Sequence, residues 1–394
     1  MCGFFLSIRE ADKKNSKLSK KIIDLLYSRG PDEQKIMDLN IGRFIFTRLA
    51  IIDLNDRSSQ PMVSNNENIY LMNKGEIYNY LEIKKKFLNE IKFNSEGDTE
   101  VFLEMWKKFG IDCLNKLRGM YAYLIYSKTD QKIFFGRDPL GIKPLFYSIV
   151  DGDIVISSET KVLREVVSNE TNLKDIPEIL MFGTTGDERT GIKNLKRCLP
   201  GKVYIYDLNT KKLEIKNIPK DKFRKSLNIK NLDDKSLTNL VKDEIKKSIE
   251  IHLRSDVGYS VQLSGGVDSS LITAMATIIS KKRQKTFGLT IAGSSQDEKW
   301  ARDMVIKKYD CDYTEVNITS DIFAKYFKKT IEVLDSPIVH SGSPALLKLY
   351  ESMRRFSPVA ITGEGADEAF MGYSRYREAV RYEKLGLISR FLPE

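Results

Sequence analysis

Residues 259–276 read YSVQLSGGVDSSLITAMA, in which an apolar run, a Gly-Gly turn and a second apolar run of small residues follow one another without a gap. The pattern predicts a strand at 259–263 and a helix at 269–279, joined through Ser264, Gly265, Gly266, Val267 and Asp268. A strand-to-helix turn of this composition suits an anion. The glycines let the backbone approach it, the first amides of the helix point outward, and Ser264, Ser269 and Ser270 add hydroxyl donors. Asp268 would repel a bare phosphate, so the turn makes sense with a cation such as Mg²⁺ between the two. The GxxxxGK[ST] spacing of the other common phosphate loop is absent, which argues against ATP hydrolysis of that type.

Outward from this turn, strand and helix patterns alternate. Helices are expected at 237–253 and 296–309, and strands at 286–290 and 358–362, an order that predicts an α/β doubly wound parallel sheet. Before it lies a Lys-, Asp- and Asn-rich stretch, 207–235, read as a connector with a short strand within 212–218. Residues 1–206 differ in kind. Short β-rich runs at 2–8, 42–52, 69–72, 121–126, 132–135, 145–150, 153–157 and 202–206 are separated by brief loops, with helical periodicity at 81–88 and 98–109. This half is expected to be α+β, antiparallel sheet packed on sheet with helices outside. The domains are thus 1–206 and 236–394.

Composition narrows the chemistry. The 394 residues include 64 Lys and Arg against 54 Asp and Glu, a net charge of +10 spread over both halves without a basic helix or aromatic-basic face, so nucleic acid is not an expected partner. No apolar run reaches the ~18–20 residues of a membrane span, and the apolar start is cut short by Arg9 and Glu10, so a cytoplasmic location is expected. Four scattered cysteines fit neither a disulfide framework nor a zinc site. Only two histidines are present, so base chemistry must come from elsewhere. Cys2 supplies an answer: removal of Met1 would leave one residue carrying both a thiol and an α-amine, which titrates near ~8 and can take the thiol proton.

Ser264–Ser270 (SGGVDSS) resembles the pyrophosphate-binding loop of the ATP pyrophosphatase superfamily. Thr362-Gly363-Glu364-Gly365-Ala366-Asp367-Glu368 resembles the matching GEGADE segment of asparagine synthetases and β-lactam synthetases. The resemblance implies that Leu263, Ser264, Gly265, Gly266, Asp268, Ser269, Ser270, Gly288, Leu289, Thr362, Gly363 and Glu364 bind ATP. It also implies that Asp268 and Asp367 hold Mg²⁺, and that Glu364 contacts the reacting acceptor or ammonia. In the first half, Cys2, Ser28–Asp32 (SRGPD), Thr47–Asp53 (TRLAIID), Gly75–Asn79 (GEIYN), Gly97–Glu100 (GDTE) and Arg137–Leu145 (RDPLGIKPL) follow the order of class II glutamine amidotransferases. They resemble the N-terminal-nucleophile glutaminase domain of asparagine synthetases. By that resemblance Cys2 attacks the glutamine amide, Arg48 pairs with the glutamine carboxylate, Glu76 and Asp98 hold its ammonium, Ile52 lines its site and Gly75 supplies an oxyanion amide.

The implied activity is glutamine hydrolysis with transfer of ammonia to an ATP-activated acyl adenylate, that of aspartate or of another carboxylate such as a sugar uronate or a peptide side chain. Two departures qualify it. The family pattern Asn-Gly-Glu-Ile-Tyr-Asn has Lys74 in place of its first Asn, so the second oxyanion donor is expected to be either the Lys74 ammonium or Asn73 shifted by a bulge. The chain also ends 26 residues after Glu368, where the family continues. A homodimer, a partner chain supplying the remainder, or a nucleotide-binding remnant without full synthetase activity are the corresponding expectations.

Overall fold

A computed structural model describes residues 1–13, 15–219, 232–293 and 298–389. Two compact units emerge, the first comprising Met1–Thr238, Arg254–Asp256 and Lys329–Ser341, the second the remainder. Parts of the expected connector (220–231), the expected helix start at Gln296 and the last five residues lie outside the described residues.

The first unit has strands β1 (Gly3–Ser7), β2 (Glu33–Leu39), β3 (Gly42–Arg48), β4 (Met62–Val63), β5 (Ile69–Ile77), β6 (Gly119–Ser127), β7 (Lys132–Arg137), β8 (Phe146–Val150), β9 (Asp153–Ser157), β10 (Lys196–Arg197), β11 (Lys202–Asp207) and β12 (Lys212–Asn217). They form two antiparallel sheets, ordered β10-β8-β9-β1-β3-β2 and β12-β11-β7-β6-β5-β4. Two-residue alternation stacks them. In β1, Phe4 and Leu6 enter the layer between the sheets with Met72, Leu124 and Phe135, whereas Phe5 faces outward onto Ile22 and Leu26 of helix Ser16–Leu26. The outer face of the second sheet, with Leu71, Tyr123 and Ile125, packs on Val101, Phe102 and Trp106 of helix Asp98–Phe109. The result is helix, sheet, sheet, helix, as read from the sequence.

The elements that escaped that reading have weak patterns. Strand β2 (EQKIMDL) alternates half-buried with exposed residues as an edge strand paired only to β3. Helix Ser16–Leu26 is Lys-rich in its first turns and is fixed by its cap, Leu18 N–H donating to Asn15 Oδ1 at 3.0 Å. Strand β5 continues to Ile77 through the polar Asn73 and Lys74, because β6 pairs with all nine of its residues.

The second unit holds β13 (Ser260–Gln262), β14 (Lys285–Ile291), β15 (Asp312–Ile318) and β16 (Ala360–Ile361), all parallel and ordered β15-β14-β13-β16. The chain winds from β13 outward to β15, then returns to the other side of β13, so the C-terminal ends of β13 and β16 flank a switch point where α/β sheets bind ligands. Phe287, Val316 and Ile318 bury against Ala345, Leu349 and Met353 of helix Ser343–Arg354. Neither that helix nor β15 was foreseen; the latter buries only Val316 and Ile318. Among the described residues no helix is long and apolar enough to cross a membrane. All four cysteines are free, with Cys113, Cys198 and Cys311 buried.

Candidate functional site

In the first unit, Cys2, Arg48, Ile52, Gly75, Glu76 and Asp98 line a single cleft together with Gln60, Asn73 and Thr99. The β1–β3 ladder, in which Gly3 faces Thr47, sets the chain start beside the loop that follows Arg48. Cys2 Sγ accepts the Leu49 N–H (3.4 Å) and the thiol donates to Leu49 O (3.7 Å). Burial pushes the thiol above its usual pKa. Burial also lowers the terminal ammonium, that of Met1 in this chain, to about 5, with Arg29, Lys74 and Lys143 adding to the fall. At neutral pH the Met1 amine of the unprocessed chain is therefore a free base and the Cys2 thiol carries its proton.

Arg48 is buried, its Nη1 donating to Asn55 O at 2.9 Å and its Nη2 to Asp53 O. In the same cleft, burial raises Glu76 to about 7, the neighbouring Asp98 adding to the rise, and burial raises Asp98 to about 6. A cationic anchor and two desolvated carboxylates make a cleft complementary to a free amino acid.

Lys74 does not line the cleft. It is fully buried, its Nζ 3.3 Å from Glu159 Oε1 and 3.5 Å from Ser158 O, and Arg29 Nε lies 2.6 Å from the same carboxylate oxygen. Burial lowers the Lys74 pKa to about 7. Asn73 stays in regular register opposite Tyr123, without a bulge, and neither atom of its buried side-chain amide has a hydrogen-bond partner. Other motif residues brace the loops. Asp138 accepts the N–H groups of Leu140 (3.1 Å), Ile142 (3.0 Å) and Lys143 (3.1 Å), and Asp32 accepts that of Ala50 (2.9 Å).

In the second unit the turn after β13 and the segment after β16 meet. Ser264, Gly266, Asp268, Ser269, Gly363, Glu364 and Asp367 line one cleft with Gln262, Glu368 and Tyr373. The approach is close: a Cβ on Gly363 would lie 3.1 Å from Asp268 Cβ. Gly265, at φ +106°, has no room for a side chain, since a Cβ would meet Glu298 O at 2.6 Å. Ser264 and Ser269 hydroxyls lie 2.9 Å apart, and the Ser264 hydroxyl accepts the Gly266 N–H (3.2 Å), so the turn is held in shape by its own hydroxyls. Gly288, on the adjacent β14, is pinned between Leu263 O and the Tyr313 hydroxyl, which a Cβ would approach to 2.5 and 2.7 Å. Leu263 is fully buried, and Leu289, Ser270 and Thr362 are half-buried. The carboxylates of Asp268 and Asp367 are hard oxygen donors from the first turns of two different helices, Val267–Ser280 and Ala366–Phe370. A pair of this kind fits a Mg²⁺ ion that takes its other ligands from phosphates and water.

Residues 1–217 match the family described as glutamine amidotransferase domain, and residues 240–392 match the family described as asparagine synthase. The chain belongs to the glutamine amidotransferase family. It carries an asparagine synthase domain after the amidotransferase domain. It is similar to asparagine synthetase (glutamine-hydrolyzing) 1 of Bacillus subtilis, with 30% identity over 96% of this chain and 60% of that protein. It is also similar to an asparagine synthetase homologue of Methanocaldococcus jannaschii (28%, covering 100% and 79%) and to the amidase chyE of Penicillium rubens (24%, covering 90% and 55%). The chain spans about 60% of the length of the first of these relatives.

The raised pKa values of the paired carboxylates have a consequence that can be measured. A carboxylate whose pKa is raised on folding contributes stability below its unfolded value, and that contribution is lost as pH rises through the folded value, here about 6 for Asp98 and about 7 for Glu76. An amino acid whose ammonium meets the ionised pair offsets the loss. Glutamine should therefore raise the melting temperature of a Cys2→Ala variant more at pH 8 than at pH 5.5, and Glu76→Gln should flatten that difference. An equal shift at both pH values would show that the pair does not meet an ammonium.

Gln60 was not singled out from the sequence; Thr99 was read only as part of the GDTE motif, and Asn73 only as a donor shifted by a bulge that the regular β5–β6 register lacks. Gln60 and Thr99 are ordinary polar residues in loop and helix start, and what brings them to the cleft is the ladder they border.

Proposed function

We propose that this chain is a glutamine-dependent amidotransferase of the asparagine synthetase kind. The observation that carries the reading is the convergence of Cys2, Arg48, Gly75, Glu76 and Asp98 on one cleft at the chain start. Arg48 would take the glutamine carboxylate, and Glu76 and Asp98 its ammonium, leaving the side-chain amide beside Cys2. With Met1 removed, the Cys2 amine accepts the thiol proton as Sγ bonds to the amide carbon. The oxygen gains the electron pair and is met by the Gly75 N–H. Collapse breaks the C–N bond, the amine returns its proton to the departing ammonia, and water then hydrolyses the γ-glutamyl thioester to glutamate.

In the second cleft ATP would lie on the Ser264–Ser270 turn, with Leu263, Gly288, Leu289, Thr362 and Gly363 as further contacts. Asp268 and Asp367 would hold Mg²⁺, which when bound neutralises phosphate charge. The acceptor carboxylate, for which aspartate is favoured by the relatives' names, would attack the α-phosphorus and release pyrophosphate. Ammonia would then displace AMP from the acyl adenylate, with Glu364 contacting the reacting acceptor or the ammonia. A cytoplasmic setting suits these substrates. Similarity to an amidase keeps a second acceptor class in view. Pyrophosphate release measured with glutamine, ATP and Mg²⁺ against aspartate, a uronate and an acidic peptide tests the assignment. Aspartate-dependent release with asparagine as product is expected, and release driven by another carboxylate alone would transfer the reading to that acceptor.

A further inference from the structure

The cleft's oxyanion donor belongs to a strand edge that has lost its neighbour. Ser64 N–H donates to Ile69 O (2.9 Å) on one side of β5, and Lys128 N–H donates to Asn68 O (2.8 Å) on the other. Odd-numbered residues of β5 therefore direct their backbone groups toward β4, and even-numbered ones toward β6. Strand β4 covers only Tyr70 and Leu71, which leaves the amides of Asn73, Gly75 and Ile77 facing an open edge. Side chains take over at alternate positions. Asn73 N–H donates to Gln60 Oε1 at 2.6 Å, and Ile77 N–H donates to Asp98 Oδ2 at 2.7 Å. Between them the Gly75 N–H has no partner among the described residues, and Gly75 lines the cleft with Cys2. Gln60 continues to helix Asp98–Phe109, its Nε2 donating to Thr99 Oγ1 at 3.4 Å, so β5, Gln60, Thr99 and Asp98 close a ring around the open amide. Gln60 and Thr99 are both buried, so neither competes with solvent for these bonds. Gly75 itself has no latitude: at φ +144° a Cβ would meet Met120 O at 1.9 Å.

We infer that Gln60 is a positioning residue for glutamine hydrolysis, holding β5 past the end of β4 so that the Gly75 N–H stays unpaired and aimed into the cleft. The inference rests on the proposed chemistry at Cys2 and adds a residue to it. Binding of the amino-acid head runs through Arg48, Glu76 and Asp98, so a fault in Gln60 should fall on the oxyanion and spare ground-state binding.

Two measurements test it in the full chain. In Gln60→Met, which keeps the volume and removes the acceptor, kcat for glutamine hydrolysis should fall roughly 10- to 100-fold with KM changed less than about threefold, because a misaimed oxyanion donor costs most in the transition state. Gln60→Glu, which retains the acceptor oxygen, should recover most of the loss. Amide hydrogen exchange of the wild-type chain provides a readout that needs no variant. Asn73 and Ile77 should be protected and Gly75 should exchange fast, and Gly75 should become protected once glutamate γ-semialdehyde forms a thiohemiacetal with Cys2. An unchanged kcat in folded Gln60→Met, or a Gly75 amide as protected in the free chain as its neighbours, would overturn the role of Gln60 alone. Absence of glutamine hydrolysis in the wild-type chain would instead overturn the reading beneath it.

Discussion

Cys2→Ala is expected to lower glutamine hydrolysis by roughly 10⁴-fold or more while leaving ammonia-dependent pyrophosphate release intact. The size of the effect follows from how little else the cleft offers. Neither histidine lines it. Ser58 does line it, but its hydroxyl donates to Asp53 Oδ2 at 3.0 Å, which orients it as a structural donor. Burial keeps the thiol protonated, so it needs a base as sulfur attacks, and with Met1 removed the α-amine on the same residue stands within reach to take that proton. Removing the sulfur leaves the anchors in place, so glutamine should still bind to the variant. A variant that hydrolysed glutamine as fast as the wild type would remove Cys2 from the reaction.

Asp268→Asn should cost roughly 10²- to 10³-fold in ATP-dependent pyrophosphate release, with glutamine hydrolysis at the Cys2 cleft retained. The turn around Asp268 carries one carboxylate among hydroxyl and amide donors. Its partner in the cleft, Asp367, arrives on the separate segment after β16. Amide replacement keeps the shape of the turn, whose internal bonds run through Ser264 and Ser269, and removes the charge that would hold a divalent ion against phosphate. The measurement is pyrophosphate release as a function of Mg²⁺ concentration. A variant with unchanged Mg²⁺ dependence would show that the carboxylate does not serve the metal.

These two sites differed in how much of them could be read from residues alone. The Ser264–Ser270 turn was legible because its strand, glycines and helix are consecutive, and local sequence fixes such a turn. That it meets Gly363 follows from the parallel pairing of β13 with β16, about a hundred residues later, and was visible only through the resemblance. Lys74 shows what sequence cannot supply. A strand pattern says that a side chain alternates faces, whereas the direction of this ammonium is set by Glu159, 85 residues away, and by the burial that both share. Gln60 was illegible for a related reason. Its role comes from where β4 stops against β5, and the edge strands β2 and β15 were missed because half-exposed edges carry little apolar periodicity.

In the proposed reaction, the residue left at the chain start by removal of Met1 forms a covalent bond to glutamine. Acid quenching of the processed full chain during turnover, followed by mass spectrometry of the N-terminal peptide, tests this most directly. One γ-glutamyl group on Cys2 is expected, released by hydroxylamine and absent from Cys2→Ala. Glutamine turnover with an unmodified Cys2 peptide, or at an equal rate in chains that retain Met1, would contradict it.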